Sequence, residues 1–371
     1  MKITDQTGRT AGNVSRIPPI SSLRFVLAMW VVMGHLGIPF LQEQQRGPLL
    51  WALRAFRNNA FNGPAAVMVF FVISGFCIHF PNRKELSVRS WKLYYARRYV
   101  RILIPMAAAL ALAVPLRMRF GLFNGSILWS LVCEEIYYFL YPSLLFLRDR
   151  IGWRNLMTLA WVLALLTALT NPTARHYPSF GPALTWLLGL PCWLLGCRLA
   201  ERLEGFQSKA VSSAQIWCWR ISAYVLSVTV SVLDFHTPLT APWMLDAFAV
   251  FAAFWLEREI RYYHATGHLP PFENLGEASY SIYLTHTHGF AFLFLFGFSS
   301  RLSPSAAWLA QMVLCLSFAG AFYWLIERPS HRFARRVGKQ PARVRVESSA
   351  ALYASEPSTS GGDMLQTESA D

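Results

Sequence analysis

Charge is scarce in this sequence. Of its 371 residues only 15% are Asp, Glu, Lys or Arg, against about 25% in a soluble domain. Acid is the scarcer sign, with 20 residues against 34 basic ones. Hydrophobic residues make up 54% and aromatics 15%, spread over many apolar runs. The shortage of charge therefore excludes a string of ordinary soluble domains and points to one polytopic membrane domain. Other absences narrow the class. The six cysteines, Cys77, Cys133, Cys192, Cys197, Cys218 and Cys315, show neither metal-ligand spacing nor an extracellular disulfide framework. They read as small buried apolar residues, and no metal is expected. No small-residue cleavage site follows the first apolar stretch, which reads as an uncleaved span. No internal repeat is visible, which weakens a transporter built from inverted halves.

What is present is a series of about ten segments long enough to cross a bilayer as helices. They run at about Ile20–Leu41, Gly63–Phe80, Ile102–Leu116, Ile127–Leu147, Asn155–Thr170, Ala183–Ala200, Ile216–Leu233, Ala241–Leu256, Ala278–Phe298 and Ala306–Ile326. The expected fold is all-α, a polytopic integral membrane helical bundle of about ten transmembrane helices. Residues 1–19 form a polar lead, 20–335 the transmembrane domain, and 336–371 a Ser-, Gly- and acid-rich tail expected to be disordered. The stretch Gln42–Asn62 reads as a loop with room for an interfacial helix.

The net charge of +14 invites a nucleic-acid reading, but its distribution argues against one. With ten spans, 25 of the 34 Lys and Arg fall on the side that holds both termini, and seven on the other. The positive-inside rule puts both termini in the cytoplasm and turns the basic excess into a topology signal.

Several polar residues interrupt the apolar runs. Arg24 and His35 lie in the first span, eleven positions apart. That is ~16 Å along a helix, and eleven steps of ~100° return to within about 20° of the same face. An ionisable residue inside a span is costly and marks a functional site by default; a hydrogen bond to a neighbouring helix is the plain alternative. Arg98 and Arg101, three apart at the mouth of the third span, share a helix face. Guanidinium forks there can hold the phosphates of a cytosolic cofactor, and ordinary positive-inside charge or lipid contact is the alternative. Glu134 and Glu135 sit within the fourth span. At least one should face the bundle interior, either orienting His35 or pairing with Arg98 or Arg101. His286 and His288, two apart in the ninth span, face different ways without a metal-ligand partner at i+3 or i+4. For His286 an interhelical hydrogen bond is the simplest reading.

Six stretches carry a resemblance. They are LRFVLAMWVVMGHL with its Arg24 and His35, FFVISGF (Phe70–Phe76) with Ser74, the RxxR of Arg98–Arg101, WSLVCEEIYYFLYP (Trp129–Pro142), LGEASYSIYLTH with Tyr283 and His286, and LIERP (Leu325–Pro329). In this order, from about Ile20 to Arg335, the chain resembles the membrane-bound acyltransferase 3 family, which O-acylates carbohydrates. The resemblance implies an acyl donor, usually acetyl-CoA, offered from the cytoplasm. It implies an acceptor hydroxyl on a sugar of an exopolysaccharide, lipopolysaccharide, lipo-oligosaccharide or macrolide. It suggests His35 as the central catalytic residue, as general base or acyl carrier, with Glu134 as its acidic partner. Arg98, Arg101 and Arg24 would hold the donor, with Glu135, Ser74, Tyr283 and His286 in supporting positions. The implied setting is the bacterial cytoplasmic (inner) membrane, beside polysaccharide-biosynthesis machinery. The pattern departs from the family in having Ala66-Val67-Met68-Val69 before Phe70-Phe71, and Val132 and Ile136 around the two glutamates. The rival is a transporter or flippase for a lipid-linked glycan, with the same polar residues lining a path; a non-catalytic scaffold would have no need of a buried His and Glu.

Overall fold

The computed structural model describes residues 18–37, 47–83, 88–118, 127–203, 211–237, 241–268, 270–297 and 302–337. The polar lead, except its last two prolines, and nearly all of the carboxy-terminal tail lie outside the described residues. All regular structure among the described residues is helical: α1 (Pro18–Leu36), α2 (Pro48–Asn59), α3 (Gly63–Asn82), α4 (Val88–Ala113), α5 (Leu128–Thr170), α6 (Gly181–Arg202), α7 (Ser213–His236), α8 (Ala241–Thr266), α9 (Ser279–Leu295), α10 (Pro304–Phe322) and α11 (Arg328–Arg336). Short 3-10 turns precede α6 and α9.

Local signals set several helix starts. Asn62 caps α3 by accepting from the Ala65 amide, Ser303 caps α10 in the same way, and Ser212 with Gln215 forms a capping box on α7. α5 runs over two of the segments read from the sequence. Gly152, at φ 79° and ψ 160°, breaks it between them, a conformation open to glycine because it has no Cβ.

Among the described residues six helical runs are long and apolar enough to cross a membrane: Pro19–Leu36, Trp51–Asn82, Leu128–Thr170, Tyr177–Arg202, Ser213–Asp234 and Pro304–Arg336. The sequence reading separates ten. The difference is physical. α5 holds two of the ten in one run, α9 has 17 residues, and α4 and α8 carry charge into their apolar stretches, at Arg97, Arg98 and Arg101 and at Asp246, Glu257 and Arg258.

The core is built on close backbone approach. At the α3–α6 crossing a Cβ on Gly75 would lie 1.9 Å from the Trp193 carbonyl oxygen, and one on Gly196 would lie 1.9 Å from that of Val72. Small residues at a membrane helix seam permit such contact. Around it Phe71, Phe76, Tyr137, Tyr141 and Trp193 are fully buried. One end of α3 is locked to α5 and α6. His79 has one ring nitrogen 2.9 Å from the Tyr141 hydroxyl and the other 2.8 Å from Glu201, which also accepts from Arg148 at 2.9 Å.

α1 and α9 run side by side in the same direction. Gly276, just before α9, packs against the Ser21 carbonyl, Ile282 clusters with Ala28 and Val32, and His286 meets His35. α10 returns the other way, from Trp308, whose indole donates to Gly37 at 2.9 Å, to Glu327 beside Ser281.

Candidate functional site

The first span carries its two polar residues to opposite ends of a track along α9. At one end the arginines gather. α4 is stapled to α5 by the hydroxyls of Tyr94 and Tyr95, which donate to the carbonyls of Tyr138 and Phe139 at 3.2 and 2.7 Å. That registration places Arg98 with its guanidinium carbon 3.8 Å above the Tyr138 ring, a cation–π stack. Arg98 lies within electrostatic reach of both Glu134 and Glu135. Glu134 faces the hydroxyls of Ser74 and Tyr138, which are 2.6 Å apart, and Ser74 also accepts from Trp193 at 3.3 Å. Both carboxylate oxygens of Glu135 and the Nε of Arg98 are buried without a hydrogen-bond partner among the described residues. Unpaired groups of this kind are costly and mark a place where something else binds or a proton resides.

Arg101, three residues on, points its Nε to His331 Nε2 on α11 at 3.1 Å. Arg101 and Arg24 both lie within reach of Glu327, a side chain with no exposure at all. One oxygen of Glu327 accepts from the Ser281 amide at 3.0 Å and from the Ser281 hydroxyl. Glu327 ends a π-turn, Tyr323–Glu327, a feature frequent at functional sites. Glu327 and His331 have no place among the site residues read from the sequence. The available signal was the LIERP stretch, a lone acid at the end of an apolar run.

At the other end α1 presents His35. Its Nδ1 donates to the Val31 carbonyl at 2.9 Å, since a carbonyl can only accept, and its Nε2 is then the basic nitrogen. The His35 ring centroid lies 4.9 Å from that of His286 on α9. His286 repeats the arrangement: Nδ1 meets the Tyr283 carbonyl at 2.8 Å, and Nε2 is buried with no partner. His35 is exposed and His286 fully buried, so the pair has an open member and an enclosed one. One turn back along α9, Tyr283 donates or accepts at 2.6 Å with Ser130 of α5, and it lies within electrostatic reach of Glu134. Tyr283 thus stands between the histidines and the arginine end.

The structure brings together Arg98, Glu134, Glu135 and Ser74, and separately His35, His286 and Tyr283. The contacts of His35 are Val31 and His286, while Glu134 keeps company with Ser74, Tyr138 and Arg98. His286 bonds within its own helix; the interhelical bond belongs to His288, whose Nε2 is 2.9 Å from the Ala109 carbonyl of α4. Cys133, Cys192, Cys197 and Cys315 are buried as read, whereas Cys77 and Cys218 are exposed. Chemically the arrangement offers a cationic end suited to phosphate and, along the same helix, two imidazoles with free basic nitrogens.

Residues 19–326 match the acyltransferase domain of a family of membrane acyltransferases. The chain is similar to acyltransferase MdmB of Streptomyces mycarofaciens, with 22% identity over 368 residues, 87% of this chain and 94% of that relative. No solved structure matches it.

Proposed function

The chain belongs to the acyltransferase 3 family, and from that premise we propose that this multi-pass membrane acyltransferase moves an acetyl group from acetyl-CoA to a hydroxyl of a surface carbohydrate. The acceptor class is an exopolysaccharide, lipopolysaccharide or lipo-oligosaccharide, and the setting is the bacterial inner membrane. On this reading ten segments alternate in direction with both termini in the cytoplasm, which the excess of Lys and Arg on that side supports; the arginine end then serves the donor and the histidine pair the acceptor.

The observation that carries the reading is the His35–His286 pair at the far end of the helix that holds Arg24 in its first half. Arg98, Arg101 and Arg24 hold the coenzyme phosphates. Glu134 and Glu327 keep the three guanidinium groups from repelling one another. His35 Nε2 takes the proton of the acceptor hydroxyl as its oxygen attacks the thioester carbonyl. The carbon–sulfur bond then breaks, and the coenzyme thiolate leaves with the proton that His35 had taken. The buried His286 ring packs against that of His35 and holds it in place.

Purified protein in detergent, given acetyl-CoA and cell-surface glycan, should release coenzyme thiol and acetylate the glycan, read by mass spectrometry. Movement of labelled glycan across vesicles with no thioester turnover would overturn the assignment in favour of transport. A trapped acetyl-histidine at position 35 would replace the general-base role by an acyl carrier.

A further inference from the structure

On the face of α1 away from Arg24 and His35 lies a cavity of about 300 Å³ that the acyl-transfer reading leaves unused. Its walls come from four helices: α1, α3, α7 and α8. It extends along α1 from Pro19 to Trp30, eleven residues or ~16 Å, about half of the ~30 Å hydrocarbon thickness of a bilayer. Leu27, Val69, Ala223 and Phe248 give it an apolar lining.

One end is polar. Arg220 donates through Nε and Nη2 to the two oxygens of Glu259 at 2.7 and 2.9 Å, and the Trp255 indole adds a third bond at 2.9 Å. The Glu259 side chain is 4% exposed and that of Arg220 29%, so the slot's end shows its cation outward. Trp217 stands beside it, its ring centroid 5.0 Å from the guanidinium carbon. A strap closes this end: Ser22 donates to the Pro271 carbonyl, Phe272 packs its ring 5.3 Å from that of Phe25, and Phe272 holds a φ of 67°, which non-glycine residues rarely adopt. The rim is formed by exposed apolar side chains, Val26, Trp217 and Phe272, so the slot opens sideways toward lipid.

We propose that this slot binds one acyl chain of a bilayer phospholipid, with the lipid phosphate at Arg220. The chemistry agrees at both ends: a chain-length apolar groove reached from the hydrocarbon, and an outward guanidinium with an indole where headgroups lie. The proposed donor end lies elsewhere: Arg24 is on the opposite face of α1, and Arg98 and Arg101 are on α4, which does not line the slot. The slot is independent of the acyl-transfer reading. Its occupant wedges the helix that carries His35, which makes it a lipid site in contact with the catalytic helix.

The test uses the full chain in nanodiscs containing a phospholipid with a diazirine on one acyl chain. After irradiation the adducts are mapped by peptide mass spectrometry. Adducts should concentrate on α1, α7 and α8 at slot residues. Val26→Trp, which plugs the rim without entering the core, should lower them by about tenfold, while adducts on the outer face of α10 near Leu309 and Val313 stay constant. Ala223→Leu, which narrows the floor, should act in the same direction. Arg220→Gln combined with Glu259→Gln removes both charges together, leaving neither buried and unpaired, and should also reduce slot labelling. Adducts spread evenly over all exposed apolar faces would overturn the proposal, as would slot labelling that ignores every variant. Labelling of the slot by a long-chain acyl-CoA diazirine and not by the phospholipid would overturn it by giving the slot to the donor.

Discussion

The imidazole of His286, fully buried on α9, faces that of His35 on α1 with 4.9 Å between ring centroids. Each ring spends Nδ1 on a carbonyl of its own helix. The two basic nitrogens are therefore left for water or for substrate. His35→Ala should lower acetyl transfer by about 10²–10⁴-fold, the usual worth of a general base. His286→Gln should cost less, about 10-fold and below that range, with the fold intact, because Nε2 has no protein partner to lose. Steady-state rates of purified, monodisperse variants decide it. An unchanged kcat in His286→Gln would confine that residue to packing.

Arg98 and Arg101 should act on the donor more than on the chemistry. Arg98→Lys keeps the charge but loses both the planar fork and the stack over Tyr138. The expected result is a rise in KM for acetyl-CoA of about tenfold, equivalent to ~1.4 kcal/mol, with a smaller fall in kcat. Arg101→Ala should shift KM the same way. Donor titrations at fixed acceptor read both.

Glu327 separates fold from function. Ala at this position leaves the Ser281 amide without its acceptor in a site of no exposure, a loss of about 1–3 kcal/mol of stability. Gln still accepts from Ser281, so its melting temperature in detergent should stay near that of the parent. Gln also removes the negative charge that Arg24 and Arg101 face, so its activity should fall. Thermal melts alongside rates test the split.

Gly75→Ala should prevent the α3–α6 crossing from closing, because the new Cβ would sit 1.9 Å from the Trp193 carbonyl oxygen. Backbone cannot move aside as a side chain does. The cost should reach or exceed the top of the ~1–3 kcal/mol range for overpacking. The readout is loss of the monodisperse peak in size-exclusion chromatography of detergent extracts.

The proposed topology, ten alternating spans with both termini in the cytoplasm, makes a prediction of its own. In a cysteine-free background, a cysteine at Arg150 should react only with permeant thiol reagents in intact cells, and one at Ser179 should also react with impermeant ones. The reverse pattern would invert the bundle.

The residues of the candidate site that were legible are those whose signals are local. A charged residue in an apolar run stands out by itself, so Arg24, His35, Glu134 and the RxxR pair are visible without a fold. The helical arithmetic that put Arg24 and His35 on one face agrees with their neighbours, since Glu327 is held by Ser281 of α9 and His286 lies on α9. Pairing across the fold was not legible. Nothing in the spacing of Glu134 says that it faces Ser74 and Tyr138, or that the partner of His35 is another histidine. Gly152 hid for a different reason. A glycine in a charged loop is ordinary, and only the backbone shows that it breaks a 43-residue helical run.

The π-turn at Tyr323–Glu327 means that the last membrane helix contains one residue more than regular α winding would need. Trp324 and Leu325, 60% and 75% exposed, face outward at this turn. Deleting Leu325 should regularise the helix while both flanks keep their registers, so Glu327 stays on Ser281. The same single-residue deletion within Pro304–Phe322 has no slack to draw on and would turn the carboxylate about 100° away from the arginines. The helix is therefore tolerant of a shortened sequence at one turn and intolerant of it along the rest of its length, an asymmetry that deletion scanning would expose where substitution scanning would not.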